Sequence, residues 1–252
     1  MHGQALAHAA QALAHAQHVV VITGAGVSAE SGIRTFRDTM EGLWKEFDPQ
    51  RLATPEAFAA DPEMVTRWYD WRRLGCLAAE PNAAHVALAR LERAMMESDR
   101  RFTLLAQNVD RLHQRAGSRA VVELHGSIIE WRCTQSGRVM TPANEAFAEF
   151  PPRSPLVAGA LLRPNVVWFG EMLPEAALRA ADEAMRTCDV FMSIGTSSVV
   201  YPAAAYARVA LEKGASVIEV NPDQTPLTRL ATWSLRGKAG EVMPGLVNTA
   251  LA

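Results

Sequence analysis

Imidazole, carboxamide, carboxylate and hydroxyl side chains recur in this chain directly after short apolar runs. His125 follows the run 120–124, and Gln107, Asn108 and Asp110 follow 102–106. Gly195, Thr196 and Ser197 follow 189–194, and Asn221 follows 217–220. The run 19–22 leads into Thr23, Gly24, Ala25 and Gly26, with Ser28, Glu30 and Gly32 close behind. An imidazole that titrates near neutrality can take a proton from a hydroxyl; a structural hydrogen bond at a strand end is the other role open to such a His. The amides and the carboxylate can read a small polar ligand or cap a helix. The hydroxyls can donate to phosphate or ribose oxygens, or close an ST-turn. Glycines after a buried strand let backbone approach a phosphate, but Gly24-Ala25-Gly26 also suits a plain tight turn. Ala29 stands where a dinucleotide fingerprint would carry its third glycine.

These groups form one site only if the apolar runs are strands of one sheet. The runs 19–23, 102–106, 120–124, 166–169, 189–194 and 217–220 read as strands, and the β-branched 19–22 as one buried on both faces. Helical patterns cover 3–16, 174–187 and 202–213, and another follows a cap at Asn82, with Ala84, Ala87, Leu88, Leu91 and Met95 at helical spacing. The alternation predicts an α/β fold, a Rossmann-like doubly wound parallel sheet, in which ligands bind beyond the carboxyl ends of the strands. Two stretches break the rhythm: the helical, Trp- and Phe-rich 39–81, and 127–162, with Pro151, Pro152 and Pro155. We read these insertions as a smaller domain, leaving 1–38, 82–126 and 163–252 to the sheet domain.

A chain of 252 residues, 49% of them apolar, can bury a large core. A formal charge of -2 gives no basic footprint for nucleic acid or an anionic membrane. Three scattered cysteines, Cys76, Cys133 and Cys188, argue against a disulfide framework. The Ala-rich start reads as a first helix rather than a signal peptide, and no stretch has the apolar length of a membrane span, so a cytoplasmic protein is expected. His2, His8, His15 and His18 read as a solvated face of that helix, and His85 and His113 as structural residues in helical sequence.

Five stretches together resemble the sirtuins, NAD-dependent protein-lysine deacylases. They are 19–38 (VVVITGAGVSAESGIRTFRD), 107–113 (QNVDRLH), His125-Gly126, 166–171 (VVWFGE) and Gly195-Thr196-Ser197, in family order across nearly the whole chain. The resemblance implies that His125 is the catalytic base. Asn108 and Asp110 would line a nicotinamide pocket, and Gln107 would contact the ribose. Gly24, Ala25, Gly26, Ser28, Glu30, Ile33, Phe36, Arg37, Val109, Gly195, Thr196 and Ser197 would complete the cofactor site, with Asn221 and Ala239 holding the adenosine half. Val167, Phe169 and Gly170 would meet the acylated lysine of a protein substrate. Tyr69 and Arg72, three residues apart on one helical face, resemble the pair in sirtuins that remove acidic acyl groups. A guanidinium can hold a carboxylate in two hydrogen bonds. Read from pattern alone, Tyr69 belongs to the core and Arg72 to solvent.

The implied reaction consumes NAD. An acyl-lysine carbonyl oxygen displaces nicotinamide, His125 deprotonates the ribose, and water completes release of free lysine and O-acyl-ADP-ribose. The preferred acyl groups would be succinyl, malonyl or glutaryl rather than acetyl. A sirtuin-like ADP-ribosyltransferase and a non-catalytic NAD-sensing or protein-binding module are the alternatives.

Sirtuins carry two Cys-x-x-Cys pairs for a structural zinc. Here the corresponding positions are Cys133 with Ser136, and Ser154 with Val157. One thiolate cannot build such a site, so no zinc is expected.

Overall fold

The computed structural model describes residues 2–33, 52–199 and 203–252. The first helix, α1 (His2–His15), buries Ala9, Ala10 and Leu13 along one side. It leads into β1 (His18–Thr23), whose six residues are all buried. Such a strand must be covered on both faces, which its Val- and Ile-rich sequence suits. A five-residue helix, α2 (Ala25–Ala29), follows Gly24.

Two helices of the first insertion start in the same way. α3 (Pro55–Ala60) and α4 (Pro62–Ala78) each open on a proline, behind the caps Thr54 and Asp61. Proline fits the first turn, where its missing N–H is no loss, and the cap oxygens accept from Ala57 N and Met64 N. The sheet domain resumes with α5 (Ala83–Glu97), capped by Asn82, then β2 (Arg101–Ala106), α6 (Leu112–Arg115) and β3 (Val121–Glu123).

The second insertion contributes β4 (Gly126–Cys133), β5 (Val139–Met140) and β6 (Leu162–Val166). After it come α7 (Glu175–Arg186), β7 (Val190–Ile194), α8 (Tyr206–Glu212), β8 (Ser216–Asn221), β9 (Trp233–Arg236) and α9 (Ala239–Ala250).

The large sheet has the order β3-β2-β1-β7-β8-β9, with every neighbouring pair parallel. The chain builds outward from β1 in one direction and then from β7 in the other. The crevice between β1 and β7 is therefore the switch point of a doubly wound sheet. Leu13, Leu88, Met95 and Leu246 cover one face; Ala181, Met185, Tyr206 and Ala210 cover the other. The smaller domain packs α3 and α4 on the antiparallel sheet β5-β4-β6, around Trp68, Tyr69, Trp131 and Trp168. Among the described residues no helix is long and apolar enough to cross a membrane.

Three expectations are corrected. The run 166–169 is not a strand of the parallel sheet: β6 ends at Val166 and pairs antiparallel with β4. Beyond it Val167 N donates to His125 O and Trp168 N to the Glu171 carboxylate, so the ladder stops. His18 is not solvated but 1% exposed inside β1, bonded to the hydroxyls of Thr187 (2.9 Å) and Thr103 (3.1 Å). β9, missing from the strands read in the sequence, closes one edge of the large sheet through its pairing with β8.

Candidate active site

At the switch point the ends of β1 and β7 touch backbone to backbone. Gly24 N donates to Ile194 O at 3.1 Å and Gly26 N to Gly195 O at 2.8 Å. A Cβ on Gly26 would stand 2.7 Å from Gly195 O, and one on Gly195, at φ +60, only 2.6 Å from Val27 N. These glycines supply room rather than donors, because the N–H groups of Gly24 and Gly26 already serve the contact.

The polar residues after β2 close over this loop. Gln107 Nε2 donates to Thr23 O (3.3 Å) and to Thr196 Oγ1 (3.1 Å), spanning the ends of β1 and β7. Asn108 Nδ2 donates to Gly24 O (3.1 Å) and to Ser28 Oγ (2.7 Å). Ser28 Oγ in turn donates to Asp110 Oδ2 at 2.7 Å, and Leu112 N donates to Asp110 Oδ1 at 2.9 Å. Burial raises the Asp110 pKa, opposed by the bonds from Leu112 and Ser28 and by the field of Arg72 and Arg115. Val109 and Ile33 pack against the core of the smaller domain, and Val109 O accepts from Ile128 N. The site thus lies where the two domains meet.

His125 sits between β3 and β4. Its Nδ1 is 2.8 Å from Gln107 O, while its own carbonyl accepts from Val167 N at 2.9 Å. Its side chain is tied to the Gln107–Asp110 group and its backbone to the segment expected to meet the lysine. Burial lowers its pKa, and the bond to Gln107 opposes this in part.

In that segment Phe169 N donates to Ala53 O (2.9 Å), and Gly170 adopts φ +86. Arg163 clamps the segment from below, with Nη1 2.6 Å and Nη2 2.9 Å from the two Glu171 oxygens. Its guanidinium carbon lies 3.3 Å from the Trp168 ring centroid. Tyr69 is 2% exposed, with its ring 6.2 Å from that of Trp168, and burial pushes its phenol up to about 12. Arg72 is half-buried, not solvated, and lies 4.7 Å over Trp68 and 5.7 Å over Tyr69.

Toward the other end of the sheet, Asn221 Nδ2 donates to Thr196 O (2.9 Å) and its Oδ1 accepts from Asp223 N (3.1 Å). The amide therefore joins the ends of β7 and β8. Glu30 accepts from Gly240 N at 2.6 Å, beside the buried Ala239 that opens α9. Ser197 is half-buried next to Thr196. Phe36 and Arg37 lie outside the described residues.

Three of the four positions compared with a zinc site, Cys133, Ser136 and Ser154, lie together. The thiol of Cys133 is within hydrogen-bonding reach of Ser136 and Ser154, and these bonds hold its pKa below the usual thiol range. Gly137 N closes the first turn onto Cys133 O (3.0 Å), and just after the second pair Ala160 N donates to Val157 O (3.2 Å). One thiol, two hydroxyls and a valine do not fit a tetrahedral thiolate zinc. Nearby, Phe147 lies 4.7 Å from Trp131, and the buried pair Asp70–Arg73 (2.7 Å) reaches from α4 to Phe147 N, Ala143 O and Glu145 O.

Three residues have a part in this architecture that the sequence reading did not assign to them individually. Asn82, read as a helix cap, also donates from Nδ2 to Val27 O and Ser31 Oγ and so holds the glycine loop. Glu171 orders the segment that follows β6. Glu219, 1% exposed in β8, gathers the hydroxyls of Thr225, Thr228 and Ser234.

Residues 24–202 match the family model described as the Sir2 family. The NAD-dependent protein deacylase 2 of Pyrobaculum aerophilum is 50% identical over 238 residues, 94% of this chain and 93% of its own. The NAD-dependent protein deacylase 1 of Pseudomonas aeruginosa is 49% identical over 245 residues, 94% of this chain and 96% of its own. Among solved structures, a Sir2 homologue–NAD complex superposes with a TM-score of 0.89 at 47% identity, covering 96% of this chain and 94% of that one. A Sir2 complex with deacetylated p53 peptide and 3′-O-acetyl ADP ribose gives 0.84 at 33% identity, covering 95% and 96%. With the family model matched over most of its length, and with relatives near half identity along nearly all of it, the chain belongs to the Sir2 family.

Proposed function

We propose that this chain is an NAD-dependent protein deacylase in which His125 is the general base, with a preference for acyl groups that end in a carboxylate. The deacylase activity follows from the family and from relatives that carry that name across nearly the whole chain. The observation that carries the role of His125 is its double attachment, side chain to Gln107 and backbone to Val167.

Amides, hydroxyls and one carboxylate at the strand ends suit NAD, which offers ribose hydroxyls and a carboxamide. When bound, NAD supplies a ribose carbon from which nicotinamide can leave. Asn108, Ser28 and Asp110 form a connected polar wall able to orient a carboxamide. With Nδ1 directed at Gln107 O, the His125 lone pair lies on Nε2 and can take a ribose hydroxyl proton. Val167, Phe169 and Gly170 would line the acyl-lysine entrance, beside the Tyr69 and Arg72 that support the acyl preference. The smaller domain is proposed to fold without zinc.

The test is to incubate the protein with NAD and a succinylated peptide, following nicotinamide, peptide mass and the absorbance of reduced cofactor. Deacylation gives free nicotinamide and a peptide lighter by the acyl group, with no reduced cofactor. A peptide heavier by ADP-ribose would replace this reading with ADP-ribosyl transfer.

A further inference from the structure

Glu219 lies in the middle of β8 at 1% exposure, in a run of otherwise apolar residues. A carboxylate there must be matched by donors, and they come from the crossover that follows β8 and from β9, the strand it leads to. Thr225 Oγ1 donates to Oε1 at 2.5 Å, and Thr228 Oγ1 (2.8 Å) and Ser234 Oγ (2.7 Å) donate to Oε2. Arg236 Nη2 adds a longer contact at 3.4 Å and also donates to Thr228 Oγ1 at 2.8 Å. The same guanidinium reaches up to Asn221 O (3.2 Å) and Asp223 O through Nη1. Thr225 and Thr228 pass the constraint into the loop backbone, which donates from Leu227 N and Thr225 N to their hydroxyls. One buried carboxylate therefore fixes the loop that begins at the carboxyl end of β8.

Where that loop stands relative to the reaction follows from the sheet order. His125 follows β3, and β8 lies four strands away across β2, β1 and β7. Neighbouring strands are spaced about 4.8 Å apart, so the separation is roughly 19 Å, within the reach of an extended dinucleotide. If the reactive ribose lies at His125, the other end of the molecule arrives over β7 and β8. We propose that Glu219 is a positioning residue for NAD: its carboxylate holds the 221–236 crossover in the form that receives the adenosine half. This rests on the deacylase reading and on NAD lying across the strand ends.

The experiment measures ADP-ribose binding by calorimetry, and KM for NAD and for acyl peptide, in wild type, Glu219→Gln, Thr228→Val and Asn221→Ala. Glu219→Gln keeps the shape and removes the charge; Thr228→Val tests the same network from its half-buried end and is the milder change for folding. Weakening of ADP-ribose binding by about tenfold, the scale of one hydrogen bond to a charged group, is expected for both. KM for NAD should rise in parallel, while kcat at saturating NAD and KM for peptide stay within about twofold. A general structural loss would move kcat and both KM values together, and would overturn the proposal. So would ADP-ribose binding unchanged in both variants while Asn221→Ala weakens it, which leaves the deacylase reading intact. Wild-type protein that neither binds ADP-ribose nor releases nicotinamide would overturn that reading as well.

Discussion

His125 Nδ1 lies 2.8 Å from the backbone carbonyl oxygen of Gln107. A carbonyl only accepts, so Nδ1 carries the hydrogen and the neutral ring keeps its lone pair on Nε2. Burial lowers the pKa of this imidazole from 6.5 and favours the neutral, basic form at neutral pH. His125→Ala should fold and bind NAD but lose deacylation by about 10²–10⁴. The acid limb of the kcat/KM profile for the wild type should fall below pH 6.5, since the base is lost only on protonation of a group with a lowered pKa. A folded Ala variant with near-normal turnover would remove His125 from the mechanism.

Arg72 stacks over Trp68 and Tyr69 beside the segment that carries Trp168. Arg72→Met should lower kcat/KM on a succinyl peptide by about tenfold to a hundredfold, the value of a hydrogen bond to a charged group, and affect an acetyl peptide much less. Tyr69→Phe should act in the same direction and more weakly. Equal losses on the two peptides would make Arg72 a support of the fold and end the argument for acyl preference.

Gly195 combines φ +60 with a site where a Cβ would stand 2.6 Å from Val27 N. Gly195→Ala must strain the backbone and push apart the ends of β1 and β7. A loss of about 1–3 kcal/mol is expected, read as a drop of several degrees in melting temperature. An alanine variant with unchanged melting temperature would show that the two loops separate without cost.

In the smaller domain Arg73 is 1% exposed and paired with Asp70, and it donates to the carbonyls of Ala143 and Glu145. Arg73→Met should destabilise by about 3–5 kcal/mol, because it leaves a buried carboxylate without its cation. Chelators should leave the wild-type melting temperature unchanged, and elemental analysis should find well under one zinc per chain. Stoichiometric zinc together with a chelator-sensitive fold would mean that the metal, not this pair, holds the insertion.

His85 and His113 are fully buried, and burial lowers their pKa values to about 4 and about 3. A lowered folded value means that the unfolded chain takes up these protons first as pH falls through about 6.5. Their stabilising contribution is whole above that pH and is lost as pH falls toward 4 and 3. Each adds a slope of at most about 1.4 kcal/mol per pH unit. Urea midpoints measured between pH 7.5 and 5 should fall with pH, and His113→Phe should flatten the fall. A slope unaffected by that substitution would show that His113 does not titrate with unfolding.

The sequence alone determined the strands that end at Thr23, Ala106 and Ile194, because short apolar runs are a local signal and are followed by polar residues that cannot continue them. Placing His125, Gln107, Asn108 and Asp110 after such runs was enough to gather them at one edge. The same local signal misled at 166–169, where an apolar run cannot reveal that its N–H groups bond to His125 O and to Glu171 instead of a ladder. His18 was misread because only two residues separate the solvated end of α1 from a buried strand. The contact of Gly26 with Gly195 was beyond the sequence, since it depends on β7 settling beside β1 from far along the chain. The role of Glu219 was not legible in the sequence, because it depends on the crossover and β9 bringing Thr225, Thr228, Ser234 and Arg236 to it. Periodicity carries which face of an element is buried; which distant donors meet a buried charge is decided only when the sheet is assembled.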